Sequence, residues 1–108
     1  NHRILKVFRV PFTKDFIKPE NSMSFPAERL TFPFIVRRKK PGDKIYIPSL
    51  GHKKLKKFFL EKKIPHYLRE DILLIEREKE IVGVWNLYIH PEYEITDKTK
   101  ELIILQIK

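Results

Sequence analysis

Apolar residues recur along this chain with two different periods, and the switches between them mark its elements. Residues 3–12 (RILKVFRVPF) interleave β-branched and aromatic side chains with charges, which predicts a strand ending near Pro11. Residues 13–27 are rich in proline and polar side chains, so a loop or edge segment is expected there. Phe16, Ile17, Met23 and Phe25 in that stretch predict that it lies against the body of the protein. Residues 28–39 resume a strand pattern, with Leu30, Phe32, Phe34 and Val36 on one face of a period-2 ladder, and Pro33 assigns that strand to a sheet edge. Lys40-Pro41-Gly42-Asp43 is a turn: proline presets the second position, and glycine accepts the positive φ of a type II turn.

Residues 44–48 alternate again through Ile45 and Ile47 and predict a short strand. Over residues 53–63 the period becomes helical. Leu55, Phe58 and Phe59 fall on one face, Lys53, Lys54 and Lys57 on the other, and Pro65 stops the helix. Residues 66–71 fit a second helical turn. Strands are predicted over 71–76, 81–89 and 101–108, with a charged turn at 77–80. The expected fold class is α+β: one small domain over residues 1–108, a β-sandwich-like and mostly antiparallel sheet structure with one or two short helices.

The size suits a single modest core, and an apolar fraction of 42% is too high for a disordered segment. Cysteine is absent, which excludes a disulfide framework and a thiolate site and is consistent with a reducing compartment. The apolar runs are too short to span a bilayer. The chain carries neither a signal-peptide pattern nor an initiator methionine, and it reads as a piece of something longer.

Charge changes the picture most. Twelve lysines and arginines fall between Arg37 and Arg69, opposed only by Asp43 and Glu61, a local balance of +10 in a chain whose net charge is +9. Positive charge concentrated on one part of a folded scaffold is the electrostatic footprint of a polyanion binder. Lys53 and Lys54 are expected in the first helical turn, where the helix dipole makes each cation cost about 0.3–1 kcal/mol. Free N–H groups at a helix start beside lysines would suit phosphate. Neighbours in a strand point to opposite faces, so Arg37 or Arg38 is expected to be inward or edge-facing, with Asp43 as its partner. A solvated lysine-rich face of a heat-stable domain is the competing reading; the segregation of the charge and its clash with the dipole favour binding. Tyr46 and Tyr67 are close enough to stack on an unpaired base, but partial burial with the hydroxyl at the surface is the expectation for both.

Catalytic chemistry is hard to find. Gly42, Gly51 and Gly83 build no phosphate-cradling loop, and His2, His52, His66 and His90 have no metal-ligand spacing. Asp43 after Pro-Gly reads as a turn residue, Glu92 and Glu94 as loop residues, and Trp85 as core.

The run Val36-Arg37-Arg38-Lys39-Lys40-Pro41-Gly42-Asp43-Lys44, then Pro48 and Gly51, then Lys53-Lys54-Leu55-Lys56-Lys57-Phe58-Phe59, Lys63-Ile64-Pro65 and Arg69, resembles the C-terminal domain of the tRNA(Ile)-lysidine synthetases. Lys44 stands where that family usually has arginine. Ile81-Val82-Gly83-Val84-Trp85 keeps the character of the family's last motif with the tryptophan shifted, and Asn86 and Tyr88 replace a customary glycine and arginine. The resemblance is specific from about Val36 to Trp85. A domain of the phenylalanyl-tRNA synthetase β subunit shares the fold type, but the KKLK helix favours the lysidine enzymes.

The resemblance implies a bacterial, cytoplasmic parent enzyme that uses ATP and Mg to adenylate the wobble cytidine of an isoleucine tRNA, after which lysine displaces AMP. That chemistry belongs to an N-terminal PP-loop domain of the same chain, whose SGG-x-DS motif does not occur in these residues. The C-terminal domain would hold the tRNA by its acceptor stem. Phosphate contacts are then expected from Lys53, Lys54, Lys57, Arg37, Arg38 and Lys40, with Lys44 and Arg69 in second place. Pro41, Gly42 and Gly51 would shape the array; no catalytic residue, metal site or cofactor site is expected in the chain itself. The alternative is an interdomain or protein–protein docking module, which predicts an exposed apolar patch from Phe8, Phe12, Phe16 and Phe25.

Overall fold

A computed structural model describes residues 3–108. In chain order the strands are β1 (Leu5–Pro11), β2 (Ser22–Pro26), β3 (Ile35–Arg37), β4 (Lys44–Ile47), β5 (Gly51–Lys54), β6 (Leu74–Arg77), β7 (Glu80–Val84), β8 (Tyr88–Ile89) and β9 (Glu101–Ile107). Two short helices, α1 (Leu55–Glu61) and α2 (His66–Arg69), lie between β5 and β6. Every strand pairing is antiparallel, so the expected class of mostly antiparallel sheets with short helices is borne out. The chain forms two compact units, residues 33–91 and the flanking segments 3–32 with 92–108.

The flanking unit is a three-stranded sheet in the order β1-β9-β2. Leu102, Ile103, Ile104 and Leu105 are consecutive and all buried, so both faces of β9 are covered and the strand reads as a continuous apolar run. The segment expected as a loop or edge segment over 13–27 contains β2, which is an edge strand of this sheet with all five residues buried. Its Ser-Met-Ser-Phe alternation is a strand signal that the flanking prolines concealed. The strand expected over 28–39 is cut to Ile35–Arg37. The Pro26 carbonyl accepts from the Arg29 and Leu30 amides, each at 3.0 Å, which curls the chain into a turn, and Phe32 is left exposed.

In the unit of residues 33–91, a four-stranded sheet runs β3-β6-β7-β8 and β4-β5 forms a separate hairpin. Strand β3 sits at the edge, as Pro33 predicts. Ile45, Leu55, Phe58, Phe59, Leu74, Ile81 and Val84 make the core. The strand predicted over 81–89 is two strands, because Asn86 adopts φ 58° and folds the chain back so that Val84 pairs with Tyr88. Asparagine enters this left-handed region more readily than branched residues do. Trp85 is buried, as expected.

The helix begins at Leu55, two residues later than predicted. Lys53 and Lys54 belong to β5, where they pair with Ile45 and Lys44. The Leu55 N–H is already used by the Asp43 carbonyl at 2.9 Å. A free helix start dressed with Lys53 and Lys54 is therefore not what this sequence builds. At the other end Lys63 takes φ 58°, while the Ile64 N–H closes onto the Phe59 carbonyl at 3.0 Å. This is a Schellman-type stop with lysine in the position that favours glycine.

Candidate nucleic-acid interface

The Pro41-Gly42 turn is held by its own aspartate. Gly42 has φ 86°, and Asp43 Oδ2 accepts the Lys40 N–H at 2.7 Å. Arg37 reaches the same carboxylate with both terminal nitrogens, at 3.0 and 2.9 Å, and gives its Nε–H to Glu76 at 2.7 Å. The hydrogen bond to Asp43 is the main reason the Arg37 guanidinium titrates above its ordinary range. Burial pushes the Asp43 carboxyl up, but the hydrogen bonds from Arg37 and from the Lys40 N–H together hold it below the usual aspartate value. The question left by adjacent arginines is thus resolved: Arg37 turns inward, with a side chain only 15% exposed, while the Arg38 side chain is 69% exposed beside Asp71.

Two other expected phosphate contacts are also placed away from solvent. Lys53 shares the inward side of the hairpin with Ile45 and is paired to Glu61, whose carboxyl is lowered chiefly by that hydrogen bond. Arg69 is 6% exposed; its Nε–H donates to the Ile64 carbonyl at 2.8 Å, and its guanidinium carbon lies 5.9 Å from the centre of the Phe59 ring. Tyr67, expected to be half-buried, is 79% exposed, whereas Tyr46 is half-buried and its carbonyl accepts the Tyr88 hydroxyl at 2.6 Å.

The remaining cations stay in solvent. Lys40, Lys44, Lys54 and Lys57 are exposed and form no ion pair among the described residues. The turn and the hairpin bring Lys39, Lys40, Lys54 and Lys56 to one cleft of about 410 Å³, floored by Leu55 and Phe59 and closed by His66, Arg69 and Glu70. Lys44 lies directly opposite Lys54 across the hairpin and lines a second cleft beyond Gly42 and Asp43. Lys56 belongs to neither face that the helical period separates; its place in the KKLKK run is the signal that marks it. Gly51, at φ 90°, pairs with Ile47 to close the hairpin loop, and Pro41 and Gly42 form the rim between the clefts.

Every carboxylate in this unit is already engaged. Asp43 and Glu76 hold Arg37, Glu61 holds Lys53, Glu70 holds Lys39, Asp71 lies near Arg38, Glu78 pairs with Arg77, and Glu80 faces His52. Among the described residues Lys40, Lys44, Lys54 and Lys56 around the clefts form no ion pair, whereas Lys39 is held by Glu70.

His66 is exposed, His90 is buried and stacked on Tyr46, and His2 lies outside the described residues. Among the described residues no group of three or more histidine, aspartate or glutamate side chains is placed to hold a metal, and no helix is long and apolar enough to cross a membrane. The patch expected of a docking module does not form as written: Phe25 is fully buried, and Phe8, Phe12 and Phe16 are half-buried.

Such a molecule is a small lysine-rich module of antiparallel sheets and short helices, built to display charge on a rigid turn. Residues 34–105 match the family model described as the TilS substrate C-terminal domain, and the chain belongs to that family. Similar proteins include the tRNA(Ile)-lysidine synthases of Streptococcus mutans (43% identity, covering 47% of this chain and 12% of that protein) and Clostridioides difficile (31%, covering 77% and 18%). That of Caldanaerobacter subterraneus subsp. tengcongensis is 29% identical over 85% of this chain and 20% of its own length. The chain thus spans a fifth or less of these relatives. A crystal structure of a TilS C-terminal domain superposes with a TM-score of 0.73 over 98% of this chain and 83% of that one, at 21% identity, which establishes the likeness of fold.

Proposed function

We propose that this chain is the tRNA-holding C-terminal domain of a bacterial, cytoplasmic tRNA(Ile)-lysidine synthase. In that role it grips the acceptor stem of an isoleucine tRNA. An N-terminal domain of the same protein, working with ATP and Mg, would join lysine to the wobble cytidine. The observation that carries the reading is the set of exposed lysines on turn, hairpin and helix in a unit whose carboxylates are all taken. Lys40, Lys44, Lys54, Lys56 and Lys57 are the proposed phosphate contacts, with Arg38 available at the margin. Lysines of this kind neutralise phosphate without reading bases, which suits recognition of A-form RNA by shape.

The test is a salt titration of tRNA binding. Five neutralised phosphates give a log–log slope of about −3.5 to −4.5. Replacing Lys54 and Lys56 by alanine should make that slope shallower by about 1.4 to 1.8. A chain that does not bind tRNA at low salt, or whose slope ignores those two lysines, would defeat the proposal.

A further inference from the structure

Arg69 is more than nine-tenths buried, yet it is not used up by the fold. Guanidinium carries five N–H donors, and only the Nε–H has an acceptor here, the Ile64 carbonyl. Among the described residues the two terminal nitrogens take part in no hydrogen bond or ion pair, and the side chain lines the 410 Å³ cleft. The Ile64 carbonyl anchors the Nε–H and the centre of the Phe59 ring lies 5.9 Å from the guanidinium carbon, so the two terminal nitrogens remain to donate at the cleft wall.

The surroundings decide what that fork can take. Lys39, Lys40, Lys54 and Lys56 share the cleft, and among the described residues Asp43 and Glu70 are the carboxylates that line it. Asp43 is bound to Arg37 and Glu70 to Lys39, so neither is free to neutralise Arg69. An oxyanion with two oxygens in one plane matches the fork, and the ammonium groups of Lys40, Lys54 and Lys56, which form no ion pair among the described residues, add further attraction for an anion. The volume falls within the range of small-ligand clefts, about 300–1,000 Å³, and exceeds what a bare oxyanion fills.

We infer that this cleft is a discrete phosphate-binding site in which Arg69 receives two phosphate oxygens from its terminal nitrogens. The cleft volume of about 410 Å³ leaves room for the group that carries the phosphate. The inference deepens the proposed function, because a phosphodiester of RNA is one source of such a group; a terminal phosphate on a nucleotide is the other.

Nuclear magnetic resonance of the side-chain nitrogens of Arg69 in the intact 108-residue chain tests this. The chain is titrated at low salt with inorganic phosphate, with a short RNA duplex bearing no terminal phosphate, and with the same duplex 5′-phosphorylated. The expected result is a shift of the Arg69 terminal resonances with inorganic phosphate and with at least one duplex. A response to the duplex without a terminal phosphate identifies the internal phosphodiester; a response only to the phosphorylated one identifies the terminal group. Arg69→Lys keeps the charge and removes the fork, and should weaken phosphate binding about tenfold. If that variant fails to fold, the wild-type titration still decides. Duplex binding with no response at Arg69 overturns the site and leaves the tRNA-holding role standing. A response to inorganic phosphate with no binding of either duplex keeps the site and removes that role. Silence at Arg69 in all three titrations overturns the inference.

Discussion

Replacing Asp43 by asparagine tests whether one half-buried carboxylate organises the cationic turn. The substitution keeps the shape and removes the charge that receives Arg37 at 2.9 and 3.0 Å and the Lys40 N–H at 2.7 Å. Removing one partner of a buried ion pair costs about 3–5 kcal/mol when the other is left alone. Arg37 is not left alone, because Glu76 still accepts its Nε–H at 2.7 Å. The expected loss is therefore nearer to that of a charged hydrogen bond, about 2 kcal/mol. For a unit of this size that corresponds to a fall of about 8–16 °C in Tm. Trp85 is the sole tryptophan and belongs to the same unit as Asp43, so its fluorescence reports the relevant transition.

The pH dependence gives a second handle. The folded Asp43 carboxyl titrates below its ordinary value of 3.8, so folding favours the charged form. Its stabilisation is fully present above the unfolded value and disappears as pH falls through the lower, folded one. Arg37, whose value is raised from an already high range, stays charged throughout. The gap in Tm between wild type and Asp43→Asn should thus be widest near neutrality and shrink below pH 4. A variant that melts within about 2 °C of wild type at pH 7, or a gap indifferent to acid, would refute this account of the turn.

Lys54→Glu should raise stability by about 0.5–1 kcal/mol in a urea melt, because it turns a directly opposed like-charge pair with Lys44 into an attractive one, while weakening RNA binding; a less stable variant would count against the cross-strand repulsion. Lys63→Gly should add about 0.5–1 kcal/mol by relieving the left-handed backbone at the end of α1, and an unchanged urea midpoint would show no strain there. Burial, reinforced by the nearby Glu80, pushes the Tyr88 phenol up to about 12. Ultraviolet titration should show one late-ionising tyrosine that Tyr88→Phe removes, and stability should decline between pH 10 and 12, where the unfolded chain loses that proton first. Raising salt from about 0.01 M to 0.15 M shortens the screening length from about 30 to 8 Å, so Tm should rise as lysine repulsion fades; a fall would mean that the ion pairs dominate.

The parts of this molecule that were legible in the sequence are those governed by local chemistry. The Pro41-Gly42 turn, the Leu55-Phe58-Phe59 face and the Pro33 edge each follow from the residues that occupy them, and all appear in the structure. Where a distant partner overrides local preference, the reading fails. Strand β2 is stabilised by pairing with β9, some eighty residues away, and its prolines left loop and edge strand both open. Lys53 and Lys54 fit a helical wheel, but the hairpin register with β4 claims both. In the candidate site, charge density was visible and charge assignment was not. Nothing local says that Arg37 meets Glu76 across β3 and β6, or that Arg69 folds back over Phe59.

That assignment separates the two kinds of cation. In the unit of residues 33–91 every arginine is engaged internally: Arg37 by two carboxylates, Arg38 and Arg77 by one each, Arg69 by a carbonyl and an aromatic ring. Among the described residues, Lys40, Lys44, Lys54, Lys56 and Lys57 face solvent and form no ion pair. The division follows from the side chains themselves. A planar fork suits fixed partners within a fold, whereas a hydrated point charge on a flexible stem suits a surface whose partner arrives from outside. Point charges grip phosphate at any base sequence. On the proposed function, then, the exposed array sets how strongly the domain holds an RNA and how steeply salt weakens the hold. The one rigid fork open to a ligand, Arg69, is where a phosphate would be placed in a fixed orientation.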